Sequence, residues 1–144
     1  MWQESSAGGY ELVDSTNPHS GQSSAYLCGY SYCDDVISQD FTLPNNVSNI
    51  SLSYWWYGHT TSASHSCKDV FTVTLLDSSG SVIGKVQHSC NTDARQSWQQ
   101  MKVDITSLLS NYAGQTVTLA FEGKTSSSYT TTAFFVDDVA VSAS

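Results

Sequence analysis

Basic residues are scarce in this sequence. It has five Lys and Arg against thirteen Asp and Glu, which gives a formal net charge of −8 at pH 7. Nucleic acids and anionic lipid surfaces attract proteins through stripes or clusters of Lys and Arg. Five scattered basic residues cannot form such a stripe, so we expect no nucleic-acid partner and no membrane partner.

Long apolar runs are absent as well. No segment approaches the roughly 20 apolar residues that a membrane-spanning helix requires. The first residues, Met1-Trp2-Gln3-Glu4-Ser5, lack the basic and apolar regions of a signal peptide. We therefore expect an excised module, and its 144 residues fit a single domain over residues 1–144.

The sequence contains none of the motifs that mark common enzyme active sites. There is no Gly-x-Ser-x-Gly elbow, no His-Glu-x-x-His, no phosphate-binding glycine loop and no nicotinamide fingerprint. The adjacent carboxylates Asp34-Asp35 and Asp137-Asp138 could suggest glycoside hydrolysis. Adjacent residues on a regular strand point to opposite faces, however, and cannot flank one bond. We expect a protein that is not an enzyme; a hydrolase of unrecognised type is the remaining alternative.

Period-two patterns separated by turn signals recur along the chain, and helical periodicity never exceeds two turns. Hydrophobic residues make up 40% of the sequence, including eight Tyr, five Phe and four Trp, so core material is sufficient. The pattern predicts an all-β fold, a two-sheet antiparallel β-sandwich of the jelly-roll type, with one short helical turn near residues 105–112. The predicted strands are 10–13, 24–27, 36–43, 50–57, 70–76, 82–87, 97–103, 116–121 and 133–141.

The four cysteines allow three disulfide pairings by arithmetic alone. Cys28 and Cys33 end a short loop that Gly29 can turn, while Cys67 and Cys90 flank a predicted hairpin. This geometry favours the pairs Cys28–Cys33 and Cys67–Cys90. Zinc is the competing use of four thiols, although neither pair has the repeated spacing of a zinc ribbon. Disulfides would place the protein in an oxidising compartment, so we expect it to be secreted and extracellular.

The predicted strand 133–141 carries two carboxylates, Asp137 and Asp138, inside an apolar run. A buried carboxylate needs a cation, a basic partner or several backbone N–H donors. Because basic residues are few, a bound divalent cation, calcium above all, is the leading hypothesis. Asp137 is the better ligand candidate, since alternation places it on one face with Phe135, Val139 and Val141 and places Asp138 on the other. The alternative is that both carboxylates cap loops at the rim of the sheet.

Aromatic residues supply the candidates for a ligand surface. Alternation in 50–57 places Leu52, Tyr54 and Trp56 on the core face and Trp55 and Tyr57 on the other face. Sugar rings are recognised by flat aromatic faces backed by hydrogen-bonding side chains. The predicted ligand-binding residues are Trp55, Tyr57, Tyr30, Tyr32 and Tyr129. The alternative is that these aromatics are packing residues and that a loop covers the outer face.

Several stretches together resemble the MAM-like, carbohydrate-binding-module-like jelly-roll domains of bacterial secreted proteins, notably those C-terminal to sedolisin-type (kumamolisin-like) peptidases. The resemblance covers nearly the whole chain. The stretches are Trp2-Gln3, Asn17-Pro18-His19-Ser20-Gly21-Gln22-Ser23-Ser24-Ala25-Tyr26-Leu27-Cys28-Gly29-Tyr30, Leu52-Ser53-Tyr54-Trp55-Trp56-Tyr57, Gly114-Gln115-Thr116-Val117 and Phe134-Phe135-Val136-Asp137-Asp138-Val139.

The resemblance implies a non-catalytic accessory module that holds a parent peptidase or other secreted enzyme, in cis, near a polymeric substrate. That substrate would be a polysaccharide or an insoluble protein, and the alternative is a structural or adhesion spacer without a ligand pocket. The resemblance also implies a structural calcium near the last strand and the loop that contains Ser20. Family members often carry a Phe-Glu pair shortly before the position of Trp2, and this sequence begins at Met1. The remaining candidate ligands besides Asp137 and Asp138 are Glu4, Glu11 and Asp14.

Overall fold

The computed structural model describes residues 2–46, 48–126 and 131–143, which form two five-stranded antiparallel sheets. Several of their strands, such as 50–60 and 70–76, alternate buried and partly exposed residues, as the period-two patterns predict. The strands are β1 (Gln3–Ser6), β2 (Val13–Asp14), β3 (Ser24–Cys28), β4 (Asp34–Thr42), β5 (Ile50–Thr60), β6 (Val70–Leu76), β7 (Val82–Cys90), β8 (Gln99–Asp104), β9 (Thr116–Lys124) and β10 (Thr132–Ala143).

Sheet 1 has the strand order β1-β4-β9-β6-β7, and sheet 2 has the order β2-β3-β10-β5-β8. The predicted β-sandwich is confirmed. So is the helical turn, as helix α1 (Thr106–Leu109) followed by a 3₁₀ turn (Ser110–Tyr112). A second 3₁₀ turn, Asn91–Asp93, follows β7. Among the described residues, no helix is long and apolar enough to cross a membrane.

The core lies between the inward faces of the two sheets. In β5, Leu52, Tyr54 and Trp56 are buried while the residues between them are not, so the predicted phase of this strand is confirmed. Full burial of one such side chain stabilises the fold by about 1.5–3 kcal/mol. The Tyr54 hydroxyl, buried with its ring, donates a hydrogen bond to the side chain of Gln87. That bond satisfies a polar group that would otherwise oppose burial.

Both predicted disulfides are present. Cys28–Cys33 has a Cα–Cα distance of 5.5 Å and Cys67–Cys90 one of 5.2 Å, inside the usual range of about 4.4–6.8 Å. The first closes the loop by which the chain passes from β3 in sheet 2 to β4 in sheet 1. Because all four sulfurs are oxidised, the zinc alternative is wrong. The Cys67–Cys90 disulfide closes a longer loop and should stabilise the folded state by on the order of 3 kcal/mol in the chain-entropy model.

The sequence patterns missed one strand and misplaced another. β1 pairs with one half of β4 at the edge of sheet 1, and its residues are mostly exposed, so it shows no apolar alternation. The predicted strand 10–13 is wrong for most of its length, because β2 is only Val13–Asp14. Leu12 is fully buried in a non-strand segment, where its backbone N–H donates to Glu4. One buried leucine next to Val13 therefore imitates a strand pattern.

Glu122 on β9 and Asp34 on β4 lie close together on the outer face of sheet 1. Burial, then a hydrogen bond to Asp34 and the charge of Asp34, raise the pKa of Glu122 to about 7, although Lys124 acts in the opposite direction. A neutral Glu122 can donate a hydrogen bond to the Asp34 carboxylate, whereas two neighbouring carboxylates repel each other.

We predict that Glu122→Gln raises the melting temperature at pH 8 and has little effect below pH 4.5. The folded-state pKa of about 7 lies above the ordinary value of 4.5. The cost of ionising Glu122 in the folded protein is therefore absent below pH 4.5, grows as the pH rises, and is complete above about 7. Differential scanning fluorimetry from pH 4 to 9 measures this. Glu11→Gln is the control at an exposed glutamate, and equal pH profiles for Glu122→Gln and the unmodified protein would contradict the prediction.

Candidate functional site: an aromatic face on sheet 2

The outer face of sheet 2 carries a row of aromatic side chains that runs across the strands. Phe135 on β10 lies in register between Tyr26 on β3 and Tyr57 on β5. Its ring centroid is 4.6 Å from that of Tyr26 and 5.6 Å from that of Tyr57. Trp98, just before β8, extends the row with its ring centroid 5.6 Å from that of Tyr57. These four residues are called the aromatic row below.

The members of the aromatic row differ in how much surface they offer. Phe135 is only 5% exposed, and its ring packs against those of Tyr26 and Tyr57. Tyr26, Tyr57 and Trp98 are half-buried, so each is held by packing and still presents part of its ring to solvent. Aromatic contacts at these centroid distances stabilise the arrangement by about 0.5–1.5 kcal/mol per pair beyond the area that they bury. The row is therefore a preformed and rigid surface.

His19 covers part of the same face beside the row. Its imidazole stacks on Trp55 with a centroid distance of 4.1 Å and an interplanar angle of 18°. It also meets Trp98 at 5.3 Å, with the rings inclined by 61°. Trp55 points outward as predicted, yet a loop covers part of its ring, which is the alternative that the sequence left open.

The carboxylates of β10 hold that loop in place. Asp137 Oδ2 accepts hydrogen bonds from the backbone N–H of His19 at 2.9 Å and of Ser20 at 3.1 Å. Its Oδ1 accepts the N–H of Asp138 at 2.8 Å. Asp138 accepts hydrogen bonds from the Ser20 hydroxyl and from His19 Nδ1, the latter at 2.7 Å. The bond from Ser20, then that from His19, lowers the pKa of Asp138.

A β-bulge explains how two adjacent carboxylates reach one loop. In β10, Asp137 pairs with Trp55 but the next paired residue is Ala140, opposite Ser53. Asp138 has a φ of 52°, in the left-handed region that Asp tolerates better than most residues. The extra residue redirects the strand and allows both side chains to meet the His19 loop.

The predicted alternation is therefore wrong beyond Asp137. Asp137 shares the outer face with Phe135, but Val141 pairs with the core residue Leu52 and Val139 packs against the core. The sequence reasoning assumed a regular strand, in which Asp137 and Asp138 would point to opposite faces. The bulge removes the basis of that assumption.

The calcium hypothesis can be compared with the donors at this point. Calcium takes six to eight oxygen ligands, while the side chains around the bulge supply two carboxylates and the Ser20 hydroxyl. Asp137 Oδ2 faces two N–H groups, which compete with a cation. Among the described residues, neither Glu11 nor Asp14 joins Asp137 and Asp138 in a cluster of three ligand atoms within 4.8 Å. The side chains gathered here do not by themselves form a calcium shell.

Other groupings of metal-ligand atoms in the described chain contain oxidised cysteines. One consists of Cys67, His88 and Cys90, and the other of Cys28, Cys33 and Asp35. In both, the sulfurs are bonded to each other and cannot act as thiolate ligands.

Two further predicted ligand residues, Tyr30 and Tyr32, are not members of the aromatic row. Tyr30 and Tyr32 are in the disulfide loop, where Tyr32 is 73% exposed and Tyr30 is half-buried beside Tyr10, at a centroid distance of 5.1 Å. Tyr129 lies outside the described residues. Their ligand-binding roles, like those of Trp55 and Tyr57, stay predictions.

Sequence reasoning missed four residues of this face: Tyr26, Phe135, Trp98 and His19. The first three become neighbours only through the pairing of β3, β10, β5 and β8. The alternation within one strand does not predict which strands pair. One signal in the sequence could have indicated the row: β3, β5 and β10 each carry an aromatic residue that lies opposite the core face.

Comparison with known structures gives the fold of this chain. No family model matches the sequence, and no curated protein matches it. TmCBM61, solved in complex with β-1,4-galactotriose, is 13% identical with a TM-score of 0.67, covering 99% of this chain and 88% of that chain. A structure described as CBM4 is 13% identical with a TM-score of 0.55, covering 98% and 94%. The K2 cleaved adhesin domain of Lys-gingipain is 12% identical with a TM-score of 0.56, covering 99% and 89%. At such identities the similarity is one of fold.

Calcium stays a prediction that calorimetry can test. A cation that binds only the folded state would stabilise it by about 2.7 kcal/mol at a hundredfold excess over its Kd. We expect a higher melting temperature in calcium than in a chelator, and we expect Asp137→Asn to remove the difference. Asp40→Asn, which neutralises an exposed carboxylate on β4, is the control. An unchanged melting temperature, together with no metal in the untreated protein, would show that protein donors alone satisfy the two carboxylates.

Proposed function

We propose that this protein is a non-catalytic, extracellular carbohydrate-binding module whose ligand lies along the aromatic row of sheet 2. The observation that carries the proposal is the row itself, in which Tyr57, Trp98 and Tyr26 present half-buried rings across three adjacent strands and the segment before β8. Pyranose rings have apolar C–H faces that pack on aromatic rings. A preformed row therefore suits a chain of sugars better than an isolated small molecule.

The polar surroundings fit the same kind of ligand. Gln100 pairs with Trp55 across β5 and β8, and Ser53 pairs with Lys102 two positions further along. Such side chains can bond sugar hydroxyls at the edges of a stacked ring. The net charge of −8 disfavours polyanionic polysaccharides. We therefore expect a neutral or cationic polysaccharide.

The structural neighbours support this assignment without deciding it. TmCBM61 was solved with β-1,4-galactotriose, and it shares the sandwich of this chain over almost its full length. Both cysteine pairs form disulfides, which are typical of extracellular proteins. Attachment to a parent enzyme in cis, a sedolisin-type peptidase or another secreted hydrolase, and targeting of that enzyme to its polymer complete the proposal.

A structural or adhesion spacer is the second candidate. It is favoured by the cover of His19 over Trp55 and by the low exposure of Phe135, which would make part of this face a packing layer. The fold similarity to a cleaved adhesin domain is in keeping with it. The two candidates differ in whether removing the half-buried rings changes ligand binding or stability alone.

Removing rings of the aromatic row tests the proposed function. We predict that Tyr57→Ala and Trp98→Ala each weaken retention on the bound polysaccharide by about tenfold, because truncating an aromatic contact residue costs on the order of 1–2 kcal/mol. The measurement is affinity electrophoresis and pull-down across a panel of soluble and insoluble polysaccharides. Val82→Ala, which removes an apolar side chain 61% exposed on β7, should leave retention unchanged. Retention by none of the polysaccharides, or equal retention by all variants, would favour the spacer.

The role of Trp55 is separable by the same assay. If it belongs to the ligand surface, Trp55→Ala reduces retention and lowers the melting temperature only slightly. If the stack with His19 is a packing contact, retention is unchanged and the melting temperature falls sharply. Thermal unfolding and retention of the same preparation decide between the two roles.

A further inference from the structure

A cavity lies beyond the Tyr26 end of the aromatic row. It has a volume of about 240 Å³ and opens between the segment before β2 and the disulfide loop. This is below the roughly 300–1,000 Å³ of pockets for drug-sized ligands, so it suits a single small group. Its lining comprises Tyr10, Glu11, Asp14, Tyr26, Cys28, Gly29, Tyr30 and Asp35.

Three tyrosines line the cavity, and hydrogen bonds or ring contacts hold each of them. Tyr30 donates its hydroxyl hydrogen to Asp35 Oδ1 at 2.8 Å and accepts the N–H of Gly8 at 2.9 Å. The ring of Tyr10 meets that of Tyr30 at a centroid distance of 5.1 Å and an angle of 62°. The hydroxyl of Tyr26 lies so close to Gly29 that a Cβ there would be 2.7 Å from it. The cavity is therefore preorganised.

The charge of this cavity is negative. Asp35 is 1% exposed, and its carboxylate accepts hydrogen bonds from the N–H of Cys28 and the hydroxyl of Tyr30, both of which are neutral donors. Glu11 is exposed and Asp14 is half-exposed at the same cavity. No lysine, arginine or histidine is among the described residues that line it. Carboxylates in a concave site focus a field that attracts cations.

Tyrosine faces and carboxylates together form the kind of surface that recognises an ammonium group. The ring faces attract a cation through their quadrupoles, and the carboxylates accept charge-assisted hydrogen bonds from it. We propose that the cavity binds the ammonium group of an amino sugar. The occupant is a sugar because Tyr26 belongs both to the cavity and to the aromatic row, so a glycan on the row reaches the cavity without leaving the protein surface. This step rests on the proposed function.

The test compares oligomers of glucosamine with oligomers of N-acetylglucosamine of the same length, which carry a neutral acetamido group where glucosamine carries the charged amine. Binding is measured by isothermal titration calorimetry in a chelator, so that calcium does not compete. We expect the glucosamine oligomer to bind about five- to tenfold more tightly, with a preference that shrinks at high salt. Tyr10→Ala and Glu11→Gln, both at exposed positions, should abolish the preference. Asp40→Asn, an exposed carboxylate outside the cavity, should retain it.

The outcomes separate this inference from the proposed function. Equal binding of the two oligomers overturns the ammonium site and leaves the aromatic row as a glycan surface. A preference that survives both Tyr10→Ala and Glu11→Gln also overturns it. If neither oligomer binds, D-glucosamine and D-glucose are titrated while the Tyr10 and Tyr30 ring signals are followed by NMR. Shifts confined to glucosamine support the site, and their absence overturns it. Tighter, Tyr10-dependent binding of tetralysine would make the cavity a peptide site and would likewise overturn the amino-sugar proposal.

Discussion

The hydrogen bonds between the β10 bulge and the His19 loop determine the form of the outer face of sheet 2. β10 lies at the centre of that sheet, where β3 pairs with it up to Val136 and β5 pairs with it on both flanks of the bulge. Asp137 and Asp138 convert this fixed position into an anchor for His19 and Ser20. Because the anchor places an imidazole over Trp55 and beside Trp98, it also determines which aromatic rings stay open.

The two sheets are joined beside the cavity that Tyr10, Tyr26 and Tyr30 line. β3 ends at Cys28 in sheet 2, and β4 begins at Asp34 in sheet 1, so the Cys28–Cys33 disulfide closes the short crossing between them. The buried carboxylate of Asp35 accepts hydrogen bonds from Cys28 and from Tyr30 at this crossing. A loop rigidified in this way gives the neighbouring tyrosines fixed positions, which lowers the entropy that a ligand would have to remove on binding.

Local sequence patterns predicted where the strands lie better than they predicted which residues surround each strand. Alternation in β5 placed Leu52, Tyr54 and Trp56 inward and Trp55 outward, because a strand buried on one face must separate its side chains by polarity. Local chemistry also accounts for the turn Asp77–Gly80 and for the end of the helical region before Gly114, because both glycines have positive φ. β1 was missed because an exposed edge strand buries little and leaves no alternation to detect.

The sequence by itself determined that this protein is a disulfide-bonded β-sandwich with outward-facing aromatic side chains. Those properties depend on composition, spacing and alternation, which act within one strand or one loop. The tertiary structure alone decided that Phe135 joins Tyr26 to Tyr57, that His19 stacks on Trp55, and that a bulge brings Asp137 and Asp138 to the same loop. Each of these depends on strand order and register between segments far apart in sequence, where pairing energies from the whole sheet outweigh any local preference.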